Sequence, residues 1–110
     1  MKINWDFEEA VALVNLYFKI ESSPSNSEMQ IQRFHEILLN RAKLLGSITD
    51  DKYRNITGIK MKLQNIRFIV SEENTGLSSY SKIDELAIEL FKEKKVIFDY
   101  ILDEFERKYS

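Results

Sequence analysis

Apolar residues recur along this chain at three- and four-residue steps, and the steps stop at a few polar breaks. In NWDFEEAVALVNLYFKIE the positions Phe7, Ala10, Val11, Val14, Tyr17 and Phe18 keep helical spacing. Asp6 followed by Glu9 has the spacing of a capping box at the helix start. The break SSPSNS follows, rich in side chains that compete with helical backbone bonds. Ser27 with Gln30 is a candidate cap for a second helix. Its stripe runs through Ile31, Phe34, Ile37, Leu38, Arg41, Leu44 and Leu45, with Gly46 placed to end it.

After the linker SITDDKY, a third helix is expected from Asn55 or Ile56 to about Val70. Ile56, Ile59, Leu63, Ile66 and Val70 fall within an arc of roughly 80° when wound at 100° per residue. SEENTGLSSYS reads as a loop, and Ser81 as a cap for a long segment from Lys82. Ile83, Leu86, Leu90, Ile97, Ile101 and Phe105 keep the spacing there, while KEKK interrupts it, so one bent helix or two are expected. The expectation is one all-α domain over 1–110 with four or five helices. It comprises a helix-turn-helix-like tri-helical core over 1–71, a loop over 72–80 and a C-terminal helical segment over 81–110.

Composition narrows the function. The chain has 110 residues, enough for one core, with 44% hydrophobic and 31% charged residues. It has no cysteine, which removes disulfides, thiolate nucleophiles and zinc–thiolate sites. No run approaches the roughly 20 apolar residues of a membrane span, and MKINWDFEE lacks the form of a signal peptide. A cytoplasmic protein with no membrane contact is the expectation.

Charge is unevenly placed. The formal net charge is -2, yet Lys52, Arg54, Lys60, Lys62 and Arg67 fall in a stretch, 52–71, that contains no acid. Opposite its apolar arc, the third helix presents Thr57, Lys60, Met61, Gln64 and Asn65, with Arg54 and Asn55 at its entry and Arg67 toward one edge. Lys, Arg, Gln, Asn and Thr are the residue types that hold phosphates and reach base edges in a major groove. Any surface helix also has a polar face, and a solvated one is the plain alternative. Met61 and Phe68 on that side suggest that the fourth helix covers part of it. Asn55 and Gly58 have structural alternatives too, as a helix cap and as a point of close packing against the first helix.

Two resemblances sharpen the picture. Trp5-x-x-Glu8-Glu9, with Tyr17 further on, resembles the first helix of Myb/SANT-like tri-helical domains, and GIKMKLQNI resembles their recognition helix. A larger pattern joins Trp5, Glu8-Glu9, Tyr17-Phe18, YRNITGIKMKLQNI, Gly76-Leu77 and Ser81-Lys82-Ile83-Asp84. It resembles the N-terminal domain of HNH-type restriction endonucleases in scattered blocks over residues 5–91. Helix 2 and the SSPSNS loop match nothing in that pattern. The resemblance implies DNA binding or target recognition, through Arg54, Asn55, Lys60, Lys62, Gln64 and Asn65.

The histidine-rich HNH module of that family is missing, since the chain has one histidine, His35, expected as a helix-surface or partly buried residue. Asp84, Glu85, Glu89 and Glu93 are expected as a solvated helix face rather than a metal site. No catalytic residue, cofactor or metal is therefore expected. The leading expectation is a DNA-binding domain that uses Arg54, Asn55, Thr57, Lys60, Lys62, Gln64, Asn65 and Arg67. Its rival is a small acidic adaptor or inhibitor that binds a protein partner, or a second copy, through the helical segment over 81–109.

Overall fold

The computed structural model describes residues 4–47, 49–71 and 82–110. Among them are five α-helices: α1 (Phe7–Ser22), α2 (Ser27–Leu44), α3 (Ile56–Ser71), α4 (Lys82–Glu93) and α5 (Lys95–Tyr109), with a 3-10 turn at Pro24–Asn26. The fold is all-α, and the described residues include no strand. The 72–80 loop and the Ser81 cap lie outside the described residues.

α1 is the central helix, because it is apolar nearly all round. Ala10 to Val14 and Leu16 are buried in succession, and α2, α3, α4 and α5 all pack against it. Asp6 and Glu9 form the capping box: the Glu9 amide donates to Asp6 Oδ1 (2.9 Å) and the Asp6 amide to Glu9 Oε1 (3.1 Å). α2 begins without a side-chain cap, and Gln30 reaches back to the Ser23 carbonyl instead of completing a box with Ser27.

α2 ends in a Schellman turn. Gly46 takes φ +72°, the Ser47 amide donates to the Ala42 carbonyl (2.9 Å), and the Gly46 amide donates to Lys43 (3.1 Å). The stripe of α2 closes earlier than its spacing suggests. Ile31, Phe34, Leu38 and Ala42 are buried, whereas Leu44 and Leu45 are exposed.

The C-terminal segment is two helices, separated at Lys94, whose backbone (φ -136°, ψ 59°) is not helical. The break lets α5 turn Phe98, Phe105 and Tyr109 inward, while α4 buries Asp84, Ala87 and Ile88. Phe91 stacks on Phe18 with centroids 4.1 Å apart and meets Phe98 edge-on at 5.1 Å, which ties α1, α4 and α5 together. No helix among the described residues is long and apolar enough to cross a membrane.

Candidate nucleic-acid interface

The cations of the basic stretch divide into those turned inward and those turned out. Arg54 is turned inward. It sits just before α3 in the left-handed backbone region (φ +46°), uncommon for a residue with a side chain. Its guanidinium grips the buried Glu9 carboxylate at two points, Nε to Oε2 (2.9 Å) and Nη2 to Oε1 (3.0 Å), and donates to the Asn4 carbonyl (3.1 Å). The Trp5 and Tyr53 ring centroids lie 4.4 and 4.5 Å from it. His35 Nδ1 donates to the Arg54 carbonyl (2.8 Å), which pins the strained residue from α2. With 8% of Arg54 exposed, its guanidinium is engaged by Glu9 instead of facing a phosphate. His35 is half-buried beside it.

Arg41 from α2 completes this cluster, 2.8 Å from Asp6 and 4.0 Å from Glu9. These carboxylates raise its basicity against the opposing effect of burial. The Tyr53 hydroxyl is pushed up as well, by burial and then by the charge of Glu9.

Lys62 also serves the interior. Its Nζ lies 2.5 Å from Asp84 Oδ2 on α4, and the Trp5 ring is 5.4 Å away. Asp84 is fully buried, so it is not part of a solvated acidic face. Burial pushes its carboxyl up while the Lys62 hydrogen bond and charge draw it back down. A phosphate contact by Lys62 would draw its ammonium away from this buried carboxylate, at a cost in stability.

Asn55 caps α3: the Gly58 amide donates to its Oδ1 (2.8 Å). A Cβ on Gly58 would stand 2.9 Å from that oxygen, so the glycine makes room for the cap and not for α1. Asn65 is half-buried at the edge of the helix.

What remains outside is a single line. Thr57, Lys60, Gln64 and Arg67 are exposed at steps of three, four and three residues, with Met61 beside them. Met61 is 66% exposed, so α4 does not cover it. The spacing of Met61 alone gave no sign of this, because an apolar residue on a polar face reads equally as packed or as open. Lys60 Nζ pairs with Glu28 Oε1 of α2 at 3.0 Å, both side chains standing in solvent. Such pairs contribute about 0–1 kcal/mol and give way to other partners readily. Arg67 makes no ion pair within 4 Å among the described residues. Lys52, in the turn before α3, is exposed as well.

No three His, Asp or Glu side chains converge among the described residues. On α5, Val96, Ile97 and Tyr100 are exposed at helical spacing, the first 84% and the last 68% open to solvent. No Cα atom of α3 lies within 8 Å of one on α5. No protein-family model, curated protein or solved structure matches the chain.

Proposed function

We propose that this chain is a DNA-recognition module that lays the outer line of α3 against a duplex. The observation that supports the reading is the exposure of Thr57, Lys60, Gln64 and Arg67 along one straight strip of one helix. In this reading Lys60, Arg67 and Lys52 hold phosphates, while Gln64 and Thr57 approach base edges and Met61 offers an apolar contact to a thymine methyl. Arg54, Asn55 and Lys62 hold the strip in place from behind. Such a module contributes targeting and no catalysis, in keeping with the resemblance to N-terminal domains of HNH-type nucleases. Binding is weak, with a shallow salt dependence, because few cations flank this strip on a protein of net charge -2.

The test is fluorescence anisotropy with a short random duplex, using wild type beside Lys60→Glu/Arg67→Glu. Lys62 is left untouched because a glutamate there would face buried Asp84. Loss of most of the affinity in a folded double variant supports the reading; unchanged binding, or none by wild type at low salt, ends it.

A second reading has its own observation. Val96, Ile97 and Tyr100 expose apolar surface on α5, the kind that marks contacts between proteins. In this reading the chain is an interaction module or self-associates there. Sedimentation velocity of wild type against Val96→Glu/Tyr100→Glu measures the self-associating form directly.

A further inference from the structure

α1, α2 and α5 meet around a gap that their side chains do not fill. The result is a cleft of about 280 Å³. Its floor is apolar: Leu16 from α1, Phe34 and Ile37 from α2, and Leu102 and Phe105 from α5. Its rim carries a cation from each facing helix, Lys19 on α1 and Arg33 on α2, and an amide beside each, Asn15 and Gln30. An open trough of about 480 Å³ continues from Asn15, Lys19 and Gln30 toward Ser23 and Asn26.

We infer that this cleft binds a small amphipathic monoanion, a carboxylate on a short apolar body. The apolar body lies on the floor, and the carboxylate sits between the Lys19 ammonium and the Arg33 guanidinium. Charge complementarity argues for an anion. Neither Lys19 nor Arg33 makes an ion pair within 4 Å among the described residues, although acids on this chain pair with Arg41, Lys60, Lys62 and Lys95 elsewhere. The floor argues for an apolar body, because Phe34 and Phe105 belong to the core and also line the cleft. Glu106 lines the cleft from α5 and repels a second negative charge, which favours a monoanion over a dianion. No residue of α3 lines the cleft, so the site stands apart from the proposed DNA strip.

The probe is octanoate, titrated at neutral pH into the isotopically labelled chain and followed by backbone amide shifts. The expected result is saturable shifts at Asn15, Lys19, Gln30 and Leu102, with a dissociation constant of about 1 mM or below. Octan-1-ol is expected to bind about tenfold more weakly, because it lacks the charge. Lys19→Gln/Arg33→Gln, both at exposed positions, is expected to remove the preference for the acid while keeping the fold. Equal binding of acid and alcohol to wild type, a preference that survives the double variant, or shifts confined to other residues would overturn the inference. An absence of shifts at millimolar octanoate would overturn it as well.

Discussion

Glu9 and Arg54 lie 45 residues apart in sequence and meet in the core as a two-point ion pair, with N–O separations of 2.9 and 3.0 Å. Glu9 also serves the capping box of α1, and Arg54 also holds the turn that launches α3. One buried pair thus sets the start of two helices relative to each other. It explains a good part of why positive charge gathers in this stretch: Arg54 answers an acid on α1, Lys60 one on α2 and Lys62 one on α4.

Removing one partner takes the two-point bond from a charge that stays buried, and breaking a buried pair in this way costs about 3–5 kcal/mol. Glu9→Gln and Arg54→Met are each expected to destabilise on that scale in urea unfolding. Glu9→Leu/Arg54→Met is expected to cost clearly less than the sum of the single substitutions. A single substitution that cost under about 1 kcal/mol would show the pair to behave as a surface contact.

The helices and the first cap were legible in the sequence because they depend on local spacing: the stripe of α1, the Asp6–Glu9 box and the Gly46 stop all follow from neighbours within a few residues. The destinations of the cations were not legible. Arg54, Lys60 and Lys62 share a charge and a segment, and their partners come from three different helices, which only the packing of α3 decides. Asp84 read as solvated for the same reason, since its spacing with Glu85, Glu89 and Glu93 suits an exposed face. The spacing places Thr57, Lys60, Met61, Gln64 and Asn65 on the outer face with Arg67 toward one edge; the structure exposes Thr57, Lys60, Met61, Gln64 and Arg67 and half-buries Asn65.

Asn55 and Gly58 are expected to be coupled. Asn55→Ala loses the cap, at about 1 kcal/mol. Gly58→Ala puts a Cβ against Asn55 Oδ1 and displaces the cap, so it destabilises in the wild-type background. In the Asn55→Ala background the oxygen is gone, and the same change is expected to stabilise by up to about 1 kcal/mol, from the better helix propensity of alanine. A double-mutant cycle by urea unfolding reads this reversal of sign, and additive effects would contradict it.

Asp84 sets a pH dependence of defined sign. Burial holds its carboxyl above the ordinary value of 3.8 in the folded state. The folded chain therefore takes up this proton before the unfolded chain does. Its charged form is a burden above the folded pKa, and the burden is relieved as pH falls through that pKa toward 3.8. Compared with Asp84→Asn, wild type is expected to gain stability as pH is lowered through this window. Parallel urea titrations from pH 7 to about pH 4 measure the difference; an opposite trend would mean that the Lys62 pair outweighs burial.

Glu28 competes for Lys60. Glu28→Gln is expected to change folding stability by about 0.5 kcal/mol or less, while raising affinity for a duplex several-fold at low salt by freeing the Lys60 ammonium and removing a nearby negative charge. Unfolding curves and anisotropy titrations on the same samples separate the two effects. Unchanged duplex affinity would remove Lys60 from the contact.

The central claim is that a small outward set of cations, Lys52, Lys60 and Arg67, meets DNA while Arg54 and Lys62 stay with their carboxylates. The most direct test is the slope of log K against log salt for a random duplex. Three phosphate contacts give a slope of about -2.7, and Lys60→Glu/Arg67→Glu, which leaves Lys52 alone, is expected to bring it to about -0.9 or shallower. A slope near -4.5, as all five cations of the stretch would give, would contradict the inward placement of Arg54 and Lys62; no measurable binding at low salt would contradict the DNA reading itself.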